Sequence, residues 1–153
     1  MGDTVGTLLN TRFSFPTDIK QYADVLFVAD SYNKKIKKID LAQGVVSTFH
    51  ESDNYEPQYL SFGAGVNDLY ATADHGILYI SGGRESWLVG SRAAGSRTGQ
   101  FSSADFNGPQ DIKQITRNIL LVADANSHTL KMVDTESMTV QQLCTGQSFR
   151  HQV

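Results

Sequence analysis

Lys34, Lys35, Lys37 and Lys38 stand almost side by side, with Lys20 a short way upstream. Clustered lysines are the residue type that meets phosphates, and such binding is salt-dependent. Charge runs are also solvated faces, and lysines keep a strand from pairing wrongly. Arg84, Arg92 and Arg97, in a Gly-rich stretch, extend the candidate basic patch. The histidines are His50, His75, His128 and His151, and no two have zinc-motif spacing. Asp30 and Asp124 head the turns Asp-Ser-Tyr-Asn and Asp-Ala-Asn-Ser. A calcium loop needs several closely spaced oxygens, so a turn-capping role is expected instead. Tyr55 sits among Glu51, Asp53, Asn54 and Glu56 and is expected to be exposed; Trp87 is expected in the core. The candidate binding residues are thus Lys34, Lys35, Lys37, Lys38, Tyr55, Arg84 and His128. No Gly-x-Ser-x-Gly elbow, P-loop or Cys-x-x-Cys occurs. No catalytic residue, metal site or cofactor is assigned.

These residues belong to a chain of 153 residues with 13 basic and 16 acidic side chains, net −3. That balance gives no global attraction to nucleic acid or anionic lipid. Cys144 is the only cysteine, so no internal disulfide holds the fold. A lone thiol fits a reducing compartment and a disulfide-free extracellular domain alike. No Asn-x-Ser/Thr sequon is present. No apolar run approaches the ~18 residues of a membrane span. Met1-Gly2-Asp3-Thr4 lacks the layout of a signal peptide. The start lies so near the first repeat that an excised segment of a longer protein is expected.

The elements that position the candidates repeat. Asp18-Ile19-Lys20-Gln21, Leu26-Phe27-Val28-Ala29-Asp30 and Lys35-Ile36-Lys37-Lys38-Ile39-Asp40 return as Asp111-Ile112-Lys113-Gln114, Leu120-Leu121-Val122-Ala123-Asp124 and Thr129-Leu130-Lys131-Met132-Val133-Asp134. A looser copy reads Asp68-Leu69-Tyr70, Ile77–Ser81 and Ser86–Val89 as first, second and third strands. Self-similarity at roughly 40–50 residues signals an array of small sheets. Near-continuous apolar runs such as Val25–Ala29 fit strands buried on both faces. The spacing of Ile36 and Ile39 departs from alternation and predicts a bulge or strong twist. Fourth strands are readable at Val45–Phe49 and Thr139–Cys144, and none in the middle unit. No window carries a helical pattern.

The repeat resembles the NHL repeat in Leu26-Phe27-Val28-Ala29-Asp30 through Lys35-Ile36, in Leu121-Val122-Ala123-Asp124 through His128, and in Phe106-Asn107-Gly108-Pro109 between units. The match is good in the outer units and poor in the middle, where Gly82 is read in the place of the Asp. The resemblance implies an all-β fold: a β-propeller of four-stranded blades, near residues 12–50, 60–92 and 104–145, within a single unit spanning 1–153. It also implies a family containing protein-binding, RNA-binding and a few enzymatic members. His128 falls at the family's structural Asn-His turn.

Propellers close with about 4–8 blades. Three would leave unpaired apolar edges, so self-association to a six-bladed homodimer is expected. The function read from this is a non-enzymatic scaffold offering a rim to a protein or peptide. That rim is expected to comprise the turns around Asp30–Lys35, Gly82–Ser86 and Asp124–His128, plus the His50–Tyr59 insertion. RNA binding through the lysines and a metal-dependent lyase or hydrolase are the alternatives.

Overall fold

The computed structural model describes residues 2–144. His151 therefore lies outside the described residues. Three antiparallel sheets follow one another along the chain. The first holds β1 (Gly6–Thr7), β2 (Pro16–Tyr22), β3 (Val25–Asp30), β4 (Lys35–Asp40) and β5 (Val45–Glu51), in the order β1-β5-β4-β3-β2. The second holds β6 (Leu60–Phe62), β7 (Asp68–Ala73), β8 (Gly76–Ser81) and β9 (Arg84–Val89), in chain order. The third holds β10 (Gly99–Gln100), β11 (Pro109–Gln114), β12 (Ile119–Asp124), β13 (Thr129–Asp134) and β14 (Thr139–Cys144), in the order β10-β14-β13-β12-β11. The described residues contain no α-helix, only 3-10 turns at Ser31–Asn33 and Ala125–Ser127. The innermost strands β2, β6 and β11 lie side by side.

The sheets stack face to face, which explains the apolar runs. Phe27, Ala29 and Ile36 on one face of sheet one pack against Leu60, Leu69, Ala71, Leu78 and Ile80 of sheet two. Phe27 sits edge-on to Phe49 and Phe62, with centroids 4.9 and 5.7 Å away. The opposite face of sheet two, with Tyr70, Ile77 and Val89, packs on Ile112, Leu120, Val122, Val133 and Val140 of sheet three. Each buried Val, Leu, Ile or Phe side chain contributes about 1.5–3 kcal/mol by leaving water. Ile36 and Ile39 point to opposite faces, Ile36 into the junction with sheet two and Ile39 into a smaller cluster with Val28 and Val46. The third and fourth strands of every sheet shift register, between Ile36 and Lys37, Ile77 and Leu78, and Leu130 and Lys131. The extra residues are Phe49, Leu88 and Leu143 of the fourth strands, while β4 runs against β3 without a break, so the bulge expected from the Ile36–Ile39 spacing lies in β5 and not in β4.

Three expectations change. The outer sheets have five strands, because Gly6–Thr7 and Gly99–Gln100 add a short strand beside β5 and β14. The middle sheet has four strands, and its first is Leu60–Phe62. The segments at Asp68, Ile77 and Ser86 are therefore second, third and fourth strands, one place later than read. A three-residue strand after an acidic, aromatic stretch carries no alternation to read. Lastly, sheets that meet by their faces leave apolar faces uncovered, rather than hydrogen-bonding edges.

Candidate binding rim

A buried ion pair fixes the turns that form the rim. Asp30 Oδ1 accepts the Ser14 N–H at 2.6 Å, and Oδ2 accepts Asn33 Nδ2 at 2.8 Å. Lys37 Nζ lies 2.8 Å from Asp30 Oδ2, donates to the Arg12 carbonyl at 2.5 Å and sits 4.8 Å above the Phe13 ring. Both side chains are fully buried. Sheet three repeats this arrangement. Asp124 Oδ1 accepts the Asn107 N–H at 2.7 Å, and Lys131 Nζ donates to the Asp105 carbonyl at 2.6 Å, 4.9 Å above Phe106. Lys131 Nζ is 2.8 Å from Asp124 Oδ2. Each pair pins the strap of chain that enters the innermost strand.

In sheet two the strand register puts Ala73 where Asp30 stands, and Leu78 where Lys37 stands. An apolar pair thus replaces the ions, a substitution buried pairs often tolerate. The Asp missing from the middle repeat is replaced by Ala73, not Gly82. Asp30 and Asp124 do more than cap turns: they hold a cation and a backbone N–H in the interior.

The lysine cluster is dispersed. Lys37 is interior and leaves the surface set altogether. Lys35 Nζ pairs with Asp3 at 2.6 Å and Glu51 at 3.4 Å. That hydrogen bond holds the Asp3 carboxyl below the usual carboxylate range and lifts Lys35, with partial burial opposing both. Lys34 Nζ donates to the Asp53 carbonyl at 3.1 Å. Lys38 is half-buried on β4. Lys20 pairs with Asp18 at 2.9 Å. Tyr55 is buried, not exposed. Its ring lies 4.9 Å from Trp87, and the Arg92 guanidinium covers both rings at 5.1 and 5.0 Å. The half-buried Trp87 packs against the core, over Gly76, where a Cβ would strike its ring. No group of three or more His, Cys, Asp or Glu gathers as a metal cluster among the described residues.

The rim itself is built from the turns joining second to third strands. Thr17 Oγ1 and Ser31 Oγ donate to the Gln58 and Pro57 carbonyls, both at 2.7 Å. The Gly108 N–H donates to His75 Nδ1 at 3.2 Å. These bonds line up the Ser31–Lys34 turn, the Asp74-His75 turn and the Ala125–His128 turn. His128 is exposed there, closing its 3-10 turn in left-handed backbone. Arg84 is exposed too, but at the start of β9, beside the turn between third and fourth strands. Successive turns of an antiparallel sheet fall at opposite ends. Within sheet two Gly82–Ser86 is therefore at the opposite end from Asp74-His75, while Gly83 and Glu85 meet His50 and Ser52 of sheet one, and the Ser52 N–H donates to the carbonyl of Lys34 in the rim turn.

One rim feature carries no signature in the residue types. Phe15 and Tyr32 stack with centroids 4.5 Å apart and planes 16° apart. They are 60 % and 54 % exposed. Phe15 has φ 53°, a left-handed conformation that costs a bulky residue of order 1–3 kcal/mol. Its counterpart in sheet three is Gly108, φ 60°, beside Asn126. The fold asks for glycine here, and the chain places an exposed aromatic.

Comparison with known proteins follows the same lines. No family model matches the chain. NHL repeat-containing protein 2 of Bos taurus is 34 % identical over 70 residues, 45 % of this chain and 10 % of that protein. The Homo sapiens protein of that name is 34 % identical over 79 residues, 49 % of this chain and 11 % of its own length. The chain thus spans about a tenth of the curated relatives it matches. Among solved structures, a chain of a nidogen/laminin complex superposes with a TM-score of 0.65 at 16 % identity, covering 88 % of this chain and 49 % of that one. An auxiliary nutrient binding protein from Bacteroides ovatus gives 0.65 at 14 %, covering 77 % and 33 %. A streptogramin B lyase gives 0.55 at 14 %, covering 94 % and 58 %. At such identities the likeness is one of fold.

Three stacked sheets with their inner strands side by side, and these likenesses, define the chain as β-propeller blades. Its repeats, with Asp30 and Asp124 closing the Val-Ala-Asp strands, are similar to those of the NHL repeat-containing proteins it matches.

Proposed function

We propose that this chain is a non-enzymatic binding scaffold whose rim docks a protein or peptide. A scaffold role in general accords with the fold and the NHL repeats; the docking site is the new element. The observation that carries it is the Phe15–Tyr32 stack. Exposed, rigid aromatics are the side chains that anchor partners. Phe15 holds its exposed position against backbone strain, and strain of that kind gathers at functional sites. Self-association is a second partner relation, taken up below. The RNA reading loses support because Lys37 is interior while Lys34 and Lys35 are engaged by Asp53, Asp3 and Glu51. The test is selection of peptides from a random display library on the immobilised chain. Amide chemical-shift changes on adding a selected peptide should centre on Phe15, Tyr32, His75 and His128. Shifts confined to the turn at Gly82–Arg84 would overturn the assignment.

A further inference from the structure

The two outer faces of the stack repeat the two kinds of face buried inside it. On the open side of sheet one, Phe13, Pro16, Ile19, Val28 and Ile39 line a groove of about 480 Å³. Position for position, sheet three carries Phe106, Pro109, Ile112, Val122 and Val133. There the groove is closed: all of these are buried, and Tyr70 and Ile77 of sheet two pack on them. In sheet one no described residue closes it, and Ile19 is 54 % exposed. The other end of the stack is the converse case. Sheet one presents Phe27, Ala29, Ile36 and Phe49 to sheet two. The same positions of sheet three are Leu121, Ala123, Leu130 and Leu143. Leu130 and Leu143 are 43 % and 46 % exposed.

We infer that a second copy of this chain covers both surfaces, the Leu121/Leu130 face of one protomer entering the Phe13/Ile19/Ile39 groove of the other, twice over, to close one ring of six blades. The faces supply both sides of a junction whose chemistry already exists twice within the chain. Tyr70 and Ile77 fill the internal groove, and by strand register Leu121 and Leu130 are their counterparts. Two identical junctions related by a two-fold axis use every open face and leave none to propagate. Six blades also fall within the range that closes. This inference does not rest on rim docking, which a monomer or a ring could perform equally.

The test is the solution mass of the chain and two variants by light scattering. The chain is expected at twice its 16.8 kDa. Ile19→Glu and Leu130→Glu each change a residue exposed in the single chain, so each is expected to keep the circular dichroism of the parent and run at 16.8 kDa. Mixed in equal amounts, they retain one unaltered junction between them and are expected to return toward the doubled mass. A monomeric parent, larger multiples, or variants that remain dimeric would overturn the inference. So would a mixture that stays monomeric while both variants are folded.

Discussion

His50 and Glu85 meet across the junction of the first two blades, Nε2 to Oε2 at 3.0 Å. His50 Nδ1 lies 2.9 Å from the Gly83 carbonyl, and Ser52 Oγ donates to Glu85 Oε1 at 2.9 Å. The imidazole is buried, and both its nitrogens face acceptors. The pair clips the last turn of β5 to the start of β9. Sheet two has Val89 at the His50 position, so the next junction has apolar packing where this clip stands.

Replacing either partner strands the other. His50→Ala and Glu85→Ala are each expected to cost about 1.5–3 kcal/mol, the range for hydrogen bonds to charged groups. The double variant should cost clearly less than the sum. Urea unfolding of the four chains measures this coupling, and strictly additive losses would show that the two residues act independently.

The buried lysines are expected to be dispensable only together with their carboxylates. Lys131→Leu alone leaves Asp124 buried and unpaired, at a cost of about 3–5 kcal/mol. Adding Asp124→Ala recreates the Ala73–Leu78 arrangement of the middle blade and should recover most of that loss. The residue should be about 1–3 kcal/mol, for the Asn107 N–H left without its acceptor. Equal stability of the single and double variants in urea would contradict the role given to the pair.

Acid should release the N-terminal strap. The Asp3 carboxyl is held below its ordinary value, mainly by the Lys35 hydrogen bond. A carboxylate with a depressed folded value stabilises the fold above the unfolded value, about 3.9. That stability is lost as pH falls through the folded value. Asp3→Asn should flatten the pH dependence of unfolding below about pH 4, matching the parent in acid and falling slightly below it at neutral pH. An unchanged acid limb would count against it.

Phe15→Gly is expected to leave the melting temperature unchanged or higher, because glycine adopts the left-handed backbone freely. Phe15→Ala keeps the strained backbone and loses the Tyr32 stack, so it should melt lower than Phe15→Gly. Thermal unfolding followed by circular dichroism decides the order, and Ala above Gly would remove strain from the account.

The outer blades were legible because Val-Ala-Asp and the strand after it recur almost intact. The middle blade was not, because Ala73 and Leu78 remove the Asp and Lys that mark the register. The apolar run Ile77–Ser81 then attracts the alignment one strand too late. Burial of Lys37 had a readable signal. Lys37 recurs as Lys131, whereas Lys34, Lys35 and Lys38 become His128, Thr129 and Met132. A lysine kept at one repeat position beside a kept Asp marks the interior. Tyr55 misled because its acidic neighbours lie on the surface while its own ring turns in against Trp87. Phe15 could have been found by setting it against Gly108, which the fold holds in left-handed backbone.

The most direct test of the rim as a docking surface is calorimetric titration of a selected peptide into the chain and into the Phe15→Gly/Tyr32→Asn variant. That variant carries the third blade's residues and should keep the fold. The account expects binding weakened at least about tenfold, or 1.4 kcal/mol. Equal affinity for both chains would contradict it.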